Sequence, residues 1–135
     1  MSHDIKDIEG IGPGYAEKLA AAKIRTTDDL LSQCADPQGR KKVAKVTGLG
    51  ESHILKWANM ADIMRISGVG SQFSELLEAS GVDTVKELAT RNVENLAARM
   101  KEVNEAKKLA KSTPSVAQVE KWVAEAKTIG HRITY

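Results

Sequence analysis

Aromatic side chains are scarce in this sequence: one Phe, two Tyr and two Trp among 135 residues. A core must therefore be filled by Leu, Ile, Val and Ala, which a hydrophobic content of 41% permits. Cysteine occurs once, at Cys34, so no disulfide can close within the chain and a reducing compartment is expected. Cys34 has no neighbouring His and no second Cys, which suits a buried structural thiol better than a reactive one. β-Branched runs are few and prolines number three, a pattern that favours helices over a sheet. No apolar run approaches the roughly 20 residues of a membrane span. The polar start, Met1 to Lys6, leads into glycines rather than the apolar stretch of a signal peptide. The expectation is a soluble cytoplasmic protein with no membrane partner, built as one domain or two very small ones.

An excess of one charge is also missing. The net charge is +2; residues 1–63 hold nine Lys/Arg and nine Asp/Glu, and residues 64–135 hold eleven and nine. A tight nucleic-acid binder is usually far more basic, so any such binding must come from local placement of charge. A catalytic constellation is absent as well. His3, His53 and His131 are dispersed without metal-ligand spacing, and no Ser/His/Asp pattern or phosphate-loop lysine occurs. His3 and His131 are expected to be exposed, and His53 to be at the surface or half-buried. The reading is a non-enzymatic protein with no catalytic residue, no metal ligand, no cofactor and no small-molecule substrate.

What the sequence does have is a pair of glycine hairpins in matched surroundings. Ile8-Glu9-Gly10-Ile11-Gly12-Pro13-Gly14 recurs 58 residues later as Ile66-Ser67-Gly68-Val69-Gly70-Ser71-Gln72. The register continues without a gap through Tyr15/Phe73, Leu19/Leu77, Ile24/Val82, Thr26/Thr84 and Leu30/Leu88. One Gly-x-Gly carries little information, but two with matched flanks indicate an internal repeat. Trp57 and Trp122 each follow a Lys in the last long helix of their half, at an offset of 65. About seven extra residues are thus expected in the second half, within 93–111. Both tryptophans read as core anchors rather than ligand-stacking residues.

The spacing predicts an all-α chain of about nine or ten short helices in two similar halves, 1–63 and 64–135, forming one compact unit. A short helix is expected over about Asp4 to Glu9. Gly12-Pro13 opens the next, since Pro suits the first helical position. Thr26 or Thr27, Asp36 before Pro37, and Asn92 are N-caps. Thr84 with Glu87 and Ser115 with Gln118 form capping boxes. Helices are expected at 40–46, 51–64, 71–79 and 101–111, with the last one opening at Ser115 and closing at Gly130.

The apolar-x-Gly-apolar-Gly pattern leading into a helix resembles the helix-hairpin-helix motif of repair enzymes, polymerases and many bacterial DNA-binding proteins. The glycines permit unusual backbone angles and close approach of a phosphate. Ile11 and Val69 plug the groove between helices, and the unpaired amides of the second helix point outward with its positive dipole end. Such contacts go to phosphate and carry no sequence preference. Thr47-Gly48-Leu49-Gly50 is a weaker third copy, and its counterpart Thr113-Pro114-Ser115-Val116 lacks both glycines. Each half thus resembles a double helix-hairpin-helix domain. The chain from about 6 to about 129 further resembles a family of uncharacterised bacterial proteins catalogued as a domain of unknown function. The segments carrying that resemblance include Asp36-Pro37-Gln38-Gly39-Arg40, Leu55-Lys56-Trp57, Met64-Arg65-Ile66 and Val119-Glu120-Lys121-Trp122. The resemblance implies tandem helix-hairpin-helix units and no established activity.

The hairpins differ in charge. Asp4, Asp7, Glu9 and Glu17 crowd the first, and a phosphate there meets repulsion within one Debye length, ~8–10 Å. Glu51 can occupy the anion site of the third. The second has Arg65 before it, donors at Ser67, Ser71 and Gln72, and Glu75 as its nearest carboxylate in sequence. Candidate phosphate contacts are therefore Arg65, Gly68, Val69, Gly70, Ser71 and Gln72, with Gly10, Gly12, Gly14 and Lys18 as the second choice. Hairpin carbonyls can also hold a monovalent cation. Basic clusters at Arg40-Lys41-Lys42 with Lys45, and at Lys101, Lys107, Lys108 and Lys111, read as solvated faces unless they lie beside a hairpin. The expected function is sequence-independent DNA binding. The alternative is a protein-interaction or scaffold module in which the hairpins only fix tight packing.

Overall fold

A computed structural model describes residues 3–130 and 132–135; the expectation for His131 lies outside the described residues. Among them the chain forms eight α-helices, one short 3₁₀ helix and no strand beyond an isolated bridge between Asp4 and Thr26. The order is a 3₁₀ helix (Ile5–Asp7), α1 (Pro13–Ala21), α2 (Thr27–Cys34), α3 (Pro37–Thr47), α4 (Glu51–Ile63), α5 (Ser71–Ala79), α6 (Val85–Ala89), α7 (Val93–Lys107) and α8 (Val116–Ile129). No described helix is long and apolar enough to cross a membrane.

Most helix starts follow from local capping. Thr26 accepts from the Asp29 amide while Asp29 accepts from the Thr26 amide, a closed capping box. Asp36, Asn92 and Ser115 cap α3, α7 and α8, and Gln118 completes the box at Ser115. The box expected at Thr84 is half made. Thr84 accepts from the Glu87 amide at 3.2 Å, but the Glu87 carboxylate turns to Arg91, which binds it at 3.1 Å. The first helix is shorter than expected, three residues of 3₁₀ geometry. The basic helix expected to reach Lys111 stops at Lys107, where Lys108 adopts a left-handed conformation (φ 52°).

Distances recur at the offset of 58. Ile11 and Val69 amides each donate to the carbonyl three residues back at 3.1 Å, and Ala16 and Ser74 amides to Gly12 and Gly70 at 2.9 Å. Tyr15–Trp57 and Phe73–Trp122 ring pairs share one geometry, centroids 5.2 Å apart and tilted by 56°. α2 packs on α4 as α6 packs on α8, and α1 on α3 as α5 on α7. The extra residues of the second half lie mainly after α7. Trp57 follows the left-handed Gly48 by nine positions, whereas Trp122 follows the left-handed Lys108 by fourteen.

The core is aliphatic, with Leu19, Ile24, Leu30, Leu31, Ile54, Ile63, Leu76, Leu77 and Leu88 fully enclosed, and both tryptophans are nearly so. Cys34 is buried among them, and desolvation pushes its thiol up to about 11, which keeps it protonated and unreactive at neutral pH. Arg40, expected in a solvated basic cluster, is buried instead. Its guanidinium donates to the carbonyls of Cys34, Ala35 and Thr134 at 2.6–3.1 Å and ties the last residues to the first half.

Candidate nucleic-acid interface

The two glycine hairpins are shaped by their own residues. Gly10 and Gly68 turn with φ of +94° and +85°, a region that disfavours any side chain. A Cβ at either would stand 3.8 or 3.6 Å from the indole nitrogen of Trp57 or Trp122. Gly12 and Gly70 then occupy the N-cap positions of α1 and α5 in extended conformation and bring no side-chain cap. The first-turn amides of both helices are left without an intrahelical acceptor, at the positive end of each helix. Pro13 removes one such donor from α1, whereas Ser71 keeps it in α5. Ile11 and Val69 are buried plugs, and their amides are already used. Val69 is therefore a packing residue and offers no amide to a phosphate.

Around the first hairpin the charge is unfavourable to an anion. Glu9 faces Glu75 of α5: burial pushes the Glu75 carboxyl above its ordinary range, and Glu9 and then Glu78 push it further. Lys56 opposes this group, 3.8 Å from Glu78. Gly14 is exposed, as is Lys18 one turn along α1. His53, exposed in the first turn of α4, stacks on Trp57 with ring centroids 5.9 Å apart. His3, expected to be exposed, is half-buried: its amide donates to the Thr27 hydroxyl at 3.0 Å and its carbonyl accepts from the Thr27 amide at 2.9 Å.

Around the second hairpin two expectations change. Arg65 does not reach outward. It binds Asp62 at 2.9 Å through both Nε and Nη2, and Nη2 also donates to the Gly130 carbonyl at 2.6 Å. Asp62 is fully buried and accepts from the Val85 amide at 2.8 Å as well. Burial pushes its carboxyl above the ordinary range, against the lowering pull of the Val85 amide and Arg65. Arg65 thus ties the end of α4 to the end of α8 rather than presenting a cation. Nor is Glu75 the carboxylate that meets this hairpin. Glu125 of α8 accepts from the Ser67 amide at 3.2 and 3.3 Å and from its hydroxyl at 3.4 Å. Its place three residues after Trp122, on the same helix face, was the available sequence signal.

A lysine-bearing loop does adjoin this hairpin. Gln72, in the first turn of α5, accepts from the Lys111 amide at 3.2 Å through Oε1. The loop that carries Lys111 is shaped by buried Asn104, which accepts from the Ala110 amide at 2.9 Å and donates to the Ala110 carbonyl and the Thr113 hydroxyl at 3.2 Å. Lys107, Lys108 and Lys111 are all exposed there. The arrangement sets the backbone of a loop that bears exposed lysines against Gln72, in the first turn of a helix whose start has no side-chain cap. Among the described residues no three His, Cys, Asp or Glu side chains gather as a metal-ligand group.

No curated protein and no solved structure matches the chain. A family described as a domain of unknown function, DUF4332, matches residues 9–129, from the first hairpin to the end of α8. The chain belongs to this DUF4332 family.

Proposed function

We propose that the chain is a duplicated, tandem helix-hairpin-helix protein that binds DNA without sequence preference and without catalysis. The observation that carries the reading is the hydrogen bond from the Lys111 amide to Gln72. It brings a lysine-bearing loop beside a glycine hairpin with open helix-start amides. The equal ring geometry at Tyr15–Trp57 and Phe73–Trp122 supports the duplication. The contact set is Gly68, Gly70, Ser71 and Gln72 with Lys108 and Lys111, and Gly10, Gly12, Gly14 and Lys18 form the weaker second site. A salt series with a labelled duplex tests it. Each neutralised phosphate lowers log affinity by roughly 0.9 per unit of log salt. The expected slope is shallow, from about two or three phosphates, and the same for unrelated sequences.

The competing reading, a protein-interaction or scaffold module, draws support from a different observation: Gly10 and Gly68 each turn beside a buried indole, so the hairpins belong to the packing around the two tryptophans. Absence of duplex and single-strand binding at about 50 mM salt overturns DNA binding in its favour.

A further inference from the structure

Glu125 sits on the second hairpin with both carboxylate oxygens. The Ser67 amide donates to Oε1 and Oε2, and the Ser67 hydroxyl to Oε2, across 58 residues of chain. The helix that carries it is pinned along the hairpin on either side. Trp122, one turn earlier, is buried against Gly68 and Phe73. Gly130, five residues later, is held by Arg65. The first hairpin has no such arrangement. The position matching Ser67 is Glu9, and the residue three after Trp57 is buried Met60.

A carboxylate on hairpin donors fills the role that a phosphate oxygen fills: an anion accepting charge-assisted hydrogen bonds from backbone N–H and hydroxyl. Ser67 directly precedes Gly68, so a phosphate docked on the Gly70–Gln72 amides falls within a Debye length of that charge. We propose that Glu125 is a built-in competitor for phosphate at this hairpin, holding the Ser67 donors in the free protein and giving them up when a phosphate docks. The proposal rests on the reading of this hairpin as a phosphate site. It gives the near-neutral chain a means of keeping that site weak.

Glu125→Gln tests it, with Glu120→Gln as the control: an exposed α8 carboxylate with the same change of charge and no contact to the hairpin given by the fold. One probe is inorganic phosphate, read by amide NMR shifts of Ser67 to Gln72; the other is a labelled duplex at about 50 mM salt. The expected result is a response of Glu125→Gln to phosphate at about two- to fivefold lower concentration than the wild type or Glu120→Gln, the size of an exposed charge interaction. Equal shifts for both variants, weaker binding by Glu125→Gln, or no hairpin response to phosphate in Glu125→Gln overturns the competitor. If phosphate moves the hairpin amides at lower concentration in Glu125→Gln while no variant binds the duplex, the competitor stands and DNA binding falls.

Discussion

Gly10 turns against Trp57 with φ +94°, and Gly68 turns against Trp122 with φ +85°. Tyr15 meets one indole and Phe73 the other at 5.2 Å and 56°. Around this shared backbone almost everything else differs. Glu9 of the first hairpin faces Glu75, whereas the second hairpin meets Glu125 and the Lys111 amide. α5 packs on α4, whereas α1 packs on the short 3₁₀ helix, and a cavity of about 380 Å³ opens beside Pro13, Ala16 and Ala20. The Thr27 amide finds the His3 carbonyl, whereas its counterpart Val85 finds buried Asp62. The backbone turn here is set within a few residues, by glycine and the helix start that follows it. Charge and burial are set by partners tens of residues away. Two hairpins of like backbone geometry therefore carry different chemistry.

The buried carboxylate is the sharpest contrast. Asp62→Ala orphans the Val85 amide and removes the counter-charge of Arg65, and it should cost about 3–5 kcal/mol in denaturant unfolding. Asp4, 58 residues earlier, caps only an exposed turn through the Lys6 amide, and Asp4→Ala should cost about 1 kcal/mol or less. Similar costs at the two positions break the contrast. The pH dependence has a definite sign. Burial raises the Asp62 carboxyl in the folded state, so between the ordinary carboxylate value of about 3.9 and the raised value the folded protein binds more protons than the unfolded one. Asp62 therefore lowers stability as pH rises through that window, and Asp62→Asn should flatten this part of the curve.

Equivalence of the hairpin backbones has its own test. Gly10→Ala and Gly68→Ala meet only ordinary contacts at 3.8 and 3.6 Å, so the cost of each comes mainly from the left-handed backbone, about 1–2 kcal/mol. The two losses in thermal or denaturant unfolding should agree within error. A loss confined to one hairpin means that the shared geometry conceals different constraints.

The caps diverge more gently. Asp29 accepts from the Arg25 and Thr26 amides, and these bonds, the Arg25 amide first, hold its carboxyl below the ordinary range. Its stabilisation is present above the unfolded value of about 3.9 and is lost as pH falls through the lowered folded value. Asp29→Asn should cost about 1 kcal/mol at neutral pH, with the gap to wild type closing in acid. Glu87→Gln, at the matching position, gives up only an exposed pair with Arg91 and should cost about 0.2–0.5 kcal/mol.

The features legible in the sequence share one property: their partners are close along the chain. The cap at Thr26 or Thr27, Ser115 with Gln118, Pro13 after Gly12 and the two hairpins all act within about four residues. Local charge misplaces Arg65 because Gly130 lies 65 residues away and because the pull of a buried Asp62 does not show in the neighbouring sequence. It misplaces Arg40 in a basic cluster because the three carbonyl acceptors, one of them on Thr134, carry no sequence signature. At the candidate site the hairpin donors are legible, while Glu125 and the Gln72–Lys111 bond require the fold.

The smallest expected effect bears most directly on the difference in charge between the hairpins. Lys108 and Lys111 lie exposed in the segment after α7 that bonds Gln72 through the Lys111 amide, whereas Lys41 and Lys45 lie exposed on α3. Both pairs carry the same charge, so replacing either by Gln changes the net charge equally, and general attraction to DNA falls equally. Direct neutralisation of a phosphate differs in kind, because it releases condensed counterions and adds to the salt slope. Lys108→Gln with Lys111→Gln should flatten the slope by about 0.9 for each phosphate no longer neutralised and weaken binding uniformly across sequences. Lys41→Gln with Lys45→Gln should lower affinity slightly at low salt and leave the slope unchanged. A slope that follows the α3 pair instead moves the DNA-facing surface to the first half, and the acidic surroundings of Gly10 would then have to be bridged by cations rather than avoided.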